Sequence, residues 1–181
     1  LARLLPALEA IAPRVSIPIS VDTYKSQVAL RAVEAGATVI NDIWGLQTDP
    51  LIARVAAESG ALLILMQNQK TGRYRDLLPD ILASLSQSAR LAREAGVLEG
   101  HIILDPGIGF GKTPDHNLEV LRRLGELKGL GYPLLVGTSR KSTIGLVLGL
   151  PPDRRIEGTA ATVALAIAGG ADIIRVHDVK E

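Results

Sequence analysis

The chain has 181 residues, 47% of them hydrophobic, and its 20 Lys and Arg against 19 Asp and Glu leave a net charge of +1. That is the size and balance of one globular domain, 1–181, and it argues against disorder and against a nucleic-acid partner. The lack of cysteine excludes disulfides, thiolate metal sites and a cysteine nucleophile, and three histidines argue against an all-histidine metal site.

Leu1 to Ala12 lacks the basic start and cleavage site of a secretory leader, and no apolar run reaches the length of a membrane span. A cytoplasmic protein without membrane contact is expected. The chain starts on Leu1 rather than on methionine, as a fragment or trimmed protein would. A first helix is predicted over Leu4 to Ile11, with no strand before it.

A repeated grammar then runs through the chain. Glu34 to Ile40, Glu58 to Ile64 and Ala168 to Ile174 each read as a helix end, a glycine suited to the left-handed position, and an apolar strand. The strands expected from it are Val15 to Val21, Thr38 to Ile43, Ala61 to Met66, His101 to Leu104, Pro133 to Gly137 and Asp172 to Val176. Between them lie amphipathic segments. One starts at Pro50, capped by Asp49, with Leu51, Ile52, Val55 and Ala56 on one face; one starts at Asp80, with Ile81, Leu82, Leu85 and Ala89; one starts at Pro114, capped by Thr113. Alternating strands and helices of these lengths mean an α/β protein with a parallel sheet.

The strand ends decide between an open sheet and a barrel. Each of the six strands runs out into polar or charged residues: Asp22, Asn41 with Asp42, Gln67 with Asn68, Asp105, Thr138 leading to Lys141, and Arg175 with His177. An open sheet needs such residues only beside its switch point, whereas every strand of a barrel can contribute. The expectation is a (β/α)8 barrel with six of eight strand–helix units present, truncated at the N-terminus.

The loop after the fourth strand, Asp105-Pro106-Gly107-Ile108-Gly109-Phe110-Gly111-Lys112, is not a nucleotide loop. Pro106 stands where a Walker A glycine would be required, and Lys112 stands where the third glycine of a dinucleotide fingerprint would be. Taken singly, each strand-end group also has a structural reading: Asp22-Thr23 as a helix cap, Asn41-Asp42 as a turn, Arg175 as a surface partner of Asp178. Taken together, Asp22, Asn41 and Asp105 would offer donors and acceptors to a flat, nitrogen-rich ligand. Lys141, Arg175 and His177 would suit an anionic group such as phosphate.

Five blocks carry a resemblance: Ile19 to Thr23, Ile40 to Ile43, Leu104 to Lys112, Gly137 to Ser142, and Arg175 to Val179. In this order they resemble the motifs of dihydropteroate synthase, and Glu157 to Thr162 is similar to that family's penultimate helix. The resemblance implies a cytoplasmic, usually homodimeric (β/α)8 barrel of folate biosynthesis, a sulfonamide target. Its substrates would be 6-hydroxymethyl-7,8-dihydropterin diphosphate and 4-aminobenzoate, with Mg2+ carried on the diphosphate. By motif, Asp22, Asn41 and Asp105 would hydrogen-bond the pterin between walls of Ile43 and Met66. Lys141 would contact the pterin, Phe110 and Ser142 would border the aminobenzoate, and Arg175 and His177 would hold the diphosphate. Gly137 would belong to the substrate-binding set, and Asp105, Lys141, Arg175 and His177 to the catalytic one.

Some family features are missing, among them the terminal helix expected after Val179. The Asn-containing metal loop and the Ser-Thr-Arg-Pro loop are not in this sequence, so no metal ligand is expected within the chain. Gln67 stands where a histidine is common. A methyltetrahydrofolate-dependent pterin-binding methyltransferase and a non-catalytic barrel fragment are the alternative readings.

Overall fold

The computed structural model describes residues 1–181. Six strands alternate with seven α-helices: α1 (Leu4–Ile11), β1 (Ser20–Asp22), α2 (Ser26–Glu34), β2 (Val39–Asp42), α3 (Leu51–Ser59), β3 (Leu62–Met66), α4 (Leu77–Glu94), β4 (Ile102–Asp105), α5 (Pro114–Arg122), β5 (Leu135–Val136), α6 (Ser142–Leu148), α7 (Ile156–Ala168) and β6 (Ile173–Ile174). They fall into two compact units, Leu1–Met66 with Leu85–Ile103, and Gln67–Ser84 with Leu104–Glu181. No helix is long and apolar enough to cross a membrane.

The first unit is built on parallel strands. Val21 pairs with Ile40 and Asp22 with Asn41, while Ile40 pairs with Leu63 and Asp42 with Leu65. β4, whose first two residues belong to this unit, follows β3 in the strand order. Ile40, Leu63 and Leu65 are inaccessible to solvent, and α3 lays Ile52, Ala53 and Ala56 into the interior. Each large aliphatic side chain so removed from water contributes roughly 2 kcal/mol. Leu8 of α1 joins Val21, Ala32 and Ala37 in a smaller cluster. The helix-glycine-strand grammar is present as read: α3 stops at Gly60, whose φ of 73° only glycine adopts without strain, and its N–H closes on the Ala56 carbonyl.

In the second unit β5 and β6 are parallel through Leu135 with Ile173 and Val136 with Ile174, and Leu104 bridges to Leu134. α5 starts as expected. Thr113 Oγ1 accepts from the His116 N–H, His116 Nδ1 accepts from the Thr113 N–H, and Pro114 occupies the first turn.

Four expectations change. β1 starts at Ser20 instead of Val15, because Pro18 has no N–H to give a ladder; a 3-10 turn over Ala12–Arg14 precedes it and Ile17 is exposed. α3 buries Ile52, Ala53 and Ala56 and turns Leu51 outward, since Leu51 is its first residue. α4 starts at Leu77, three residues early, where Asp80 Oδ2 accepts from the backbone N–H groups of Arg75 and Asp76. β5 and β6 are two residues each, Pro133 again removing a donor.

Candidate functional site

In the first unit the register of β1 and β2 sets Asp22 beside Asn41. Asn41 is fully buried, and its Nδ2 donates to Asp22 Oδ1 at 2.7 Å. Its Oδ1 is buried with no partner. Leaving a buried amide oxygen unpaired costs about 1–3 kcal/mol. Met66 at the end of β3 is inaccessible and Ile43 is half-buried. Thr23 Oγ1 accepts from the Lys25 N–H in a local turn, but no side chain caps α2 at Lys25 and the Ser26 N–H goes to Asp49 Oδ2 at 2.7 Å, so Asp22-Thr23 is not the helix cap expected. Asp42 behaves differently from Asn41. Its Oδ1 accepts from the Trp44 N–H at 2.9 Å and its Oδ2 from the Leu46 N–H at 2.7 Å, so this carboxylate closes a turn.

The second unit holds the charged group of residues. Asp105, at the end of β4, is 1% exposed. Its Oδ1 accepts from the Gly107 N–H at 2.8 Å, and its Oδ2 faces Arg175 Nη2 at 3.3 Å. Burial pushes the Asp105 carboxyl up, against the pull of Arg175, of the Gly107 N–H, and of Lys141 and Lys112. Three cations therefore act on one carboxylate, which leaves the surroundings positive. A Cβ on Gly137 would lie 3.3 Å from Arg175 Nε, so the glycine lets the guanidinium run close to the backbone.

Lys141 precedes α6. Burial pushes its amine down to about 8, Asp105 opposing and Arg175 adding to the shift. Its Nζ donates to the Ile108 carbonyl and lies 4.7 Å from the Phe110 ring centroid, a cation–π contact. Ser142 is the exposed first residue of α6. Past β6, His177 is anchored to buried Ser139 through its own N–H at 3.1 Å and through Nδ1 at 3.0 Å, which turns Nε2 away from that bond. Arg175 does not pair with Asp178; Arg140 takes that carboxylate with both Nε and Nη2, which leaves Arg175 to Asp105.

Two residues outside the expected set belong to this group. Lys112 folds back so that its Nζ donates to Gln67 Oε1, to the Gly107 carbonyl at 3.1 Å and to the Phe110 carbonyl at 3.3 Å. Burial pushes its amine down to about 7. Gln67 Oε1 also accepts from the Tyr74 hydroxyl at 3.2 Å. The lysine and glutamine were visible at a strand end and in a glycine loop, but nothing in their spacing joins them. No three His, Asp or Glu side chains stand together in a metal-holding group.

A family described as pterin binding enzyme matches residues 1–177. A dihydropteroate synthase of Bacillus subtilis is 55% identical over 181 residues, covering 100% of this chain and 64% of its own length. The chain thus spans just under two thirds of that relative. A dihydropteroate synthase from Clostridium difficile, solved in the presence of pteroic acid, superposes with a TM-score of 0.96 at 48% identity, covering 99% of this chain and 68% of that one. The Thermus thermophilus enzyme in complex with 4-aminobenzoate gives 0.93 at 42% identity, covering 99% and 72%. The fold class is that of the (β/α)8 barrels, with six strands in this chain. Matched from its first residue almost to its last, the chain belongs to the pterin-binding enzyme family.

Proposed function

We propose that the protein is a cytoplasmic dihydropteroate synthase, joining 6-hydroxymethyl-7,8-dihydropterin diphosphate to 4-aminobenzoate with release of pyrophosphate. The observation that carries this reading is Asp105: a buried carboxylate with one oxygen committed to a backbone N–H and the other turned to Arg175.

Asp105 takes the amide and amino edge of the pterin. Arg175 and His177 bind the diphosphate. As the bond from the exocyclic methylene to the diphosphate oxygen breaks, its electron pair leaves with pyrophosphate. The positive charge left on the pterin is stabilised by its own ring and by Asp105. The neutral amine of 4-aminobenzoate then forms the carbon–nitrogen bond and loses a proton to water, so no strong base is required. Lys141, Gly137, Phe110 and Ser142 place the two substrates, and a sulfonamide would compete with 4-aminobenzoate there. Mg2+ would arrive on the diphosphate as part of the substrate.

We also propose a homodimer. Its support is apolar surface on α6 and α7, where Leu146, Val147, Leu165 and Ile167 are all more than half exposed.

The test is Lys141→Ala in protein of the relatives' length. Pyrophosphate release should fall roughly a hundredfold, the scale of a lost electrostatic contact to the reacting centre. Release at the original rate would remove Lys141 from the mechanism.

A further inference from the structure

The loop after β4 and the segment after β3 touch backbone to backbone. A Cβ on Gly107 would overlap the Gln67 carbonyl oxygen, and one on Gly111 would overlap the Gln69 carbonyl oxygen. Both glycines also sit at positive φ, 70° and 55°. Neither glycine can carry a side chain there, and the backbone bond from the Gln67 N–H to the Asp105 carbonyl is one link between the two segments.

Lys112 stands at the end of the loop, and its stem runs back beneath it. An ammonium has three donors, and all three find oxygen: the carbonyls of Gly107 and Phe110 from the loop, and the Gln67 side chain from the other segment. None of these is a carboxylate. Holding a half-buried cation on neutral oxygens costs desolvation that an ordinary salt bridge would offset. What it provides is geometry, because the same loop fixes the reacting groups. Asp105 Oδ1 is held by the Gly107 N–H, the Asp105 carbonyl accepts from the Gln67 N–H at 2.9 Å, Lys141 reaches the Ile108 carbonyl, and the Phe110 ring lies beside the Lys141 ammonium.

We propose that Lys112 is a positioning residue for the pterin-binding carboxylate: its ammonium ties the Gly107–Phe110 loop to Gln67 and so sets the orientation of Asp105 and the place of Phe110. The ligand part of this proposal rests on the pterin reading above. The tie needs a third donor, which a neutral amine lacks. The titratable and charged groups that face Lys112 are Asp105 from β4, Lys141 ahead of α6 and Tyr74 from the loop after β3, whose ring lies 5.8 Å from Nζ, with His116 edge-on to that ring. With the amine pushed down to about 7, the tie weakens as pH rises through neutrality.

The experiment compares the chain with its Lys112→Met variant in two measurements. The first is amide hydrogen exchange without ligand, read as protection relative to the free peptide rate. Protection at Gly107, Gly109 and Phe110 should fall about tenfold in the variant, the scale of one lost hydrogen bond to a charged donor, while Val120 in α5 stays unchanged. The second is calorimetric titration with 6-hydroxymethylpterin between pH 6 and 9. Affinity for the unaltered chain should drop through an inflection near 7 that is absent from the variant, beside a second near 8 from Lys141 that both share. Unchanged loop protection would overturn the tie. Lost protection with the same affinity and pH profile would overturn the positioning role. If the unaltered chain binds no pterin, the proposed function fails, and the exchange data still decide the tie. Should Lys112→Met not fold, the same loop protection followed with pH in the unaltered chain decides it, and a profile flat through neutrality overturns the tie.

Discussion

Asp42 and Asp105 occupy equivalent places in the two units. Each ends a strand, each is buried, and burial pushes each carboxyl up. They differ in what their oxygens touch. Both oxygens of Asp42 accept from backbone N–H groups of its own turn, so the carboxylate is consumed by the fold. Asp105 gives the fold one oxygen and meets cationic side chains with the other. Position and burial alone therefore do not mark a binding carboxylate. The marker is an oxygen whose partner can be exchanged for a ligand.

Substituting both in parallel tests the contrast most directly. Asp105→Asn keeps an acceptor for Gly107 but turns the other oxygen into a donor facing Arg175. Pterin affinity should fall by about two orders of magnitude, with the unfolding midpoint nearly unmoved. Asp42→Asn leaves one of two backbone N–H groups without an acceptor. It should cost about 2 kcal/mol, or roughly 4–8 °C for a chain of this length, and leave pterin affinity within about threefold. Calorimetric titration and thermal melts on both variants read the two axes, and equal affinity losses would break the comparison.

A smaller effect separates the two ligands of the charged group. Arg175→Ala should weaken binding of the pterin diphosphate about tenfold more than binding of the pterin alcohol, because the guanidinium is assigned to the anion. Equal losses for the two would assign Arg175 to the pterin alone.

The smallest expected effect is on stability against pH. Lys112 and Lys141 are pushed down to about 7 and about 8 from the ordinary 10.5. Between those values and 10.5 the unfolded chain binds more protons than the folded one, so their penalty shrinks and stability rises with pH. Urea midpoints from pH 7 to 9.5 should show a gain of about 1–2 kcal/mol that is reduced in Lys112→Met. A wild-type curve that falls in parallel with the variant's would contradict this. The Asp105 shift has the opposite sense: its folded form holds a proton above the unfolded value of 3.8, so its share of stability declines as pH rises through that lower window.

Much of this was legible in the chain itself, for identifiable reasons. β2, β3 and β4 are apolar runs bounded by glycine and polar ends, so their positions could be read closely. β1 is shorter than the apolar run Val15 to Val21 predicts, because Pro18 has no N–H to give a ladder. The outward turn of Leu51 escaped because a helical stripe can be counted from either of two adjacent residues until its first residue is known. Among the site residues, Asp22 with Asn41, Asp105 with Arg175, and Lys141 with Phe110 do meet in the structure. The pairing of Asp178 with Arg140 could not be chosen from spacing, since two arginines compete for one carboxylate. Lys112 was hidden for another reason: a long side chain that folds back on its own loop leaves no periodic trace.

The low basicity of Lys141 has a chemical consequence of its own. At pH 8 about half of its amine is unprotonated, whereas a lysine at the ordinary value of 10.5 is well under about one per cent so. Its Nζ is held by a single carbonyl and the face of one ring, not by three oxygens as in Lys112. Lys141 therefore combines nucleophilic character near neutrality with a light hold. Of the two weakly basic lysines, Lys141 is the one that an acylating or sulfonylating electrophile would find less tightly held.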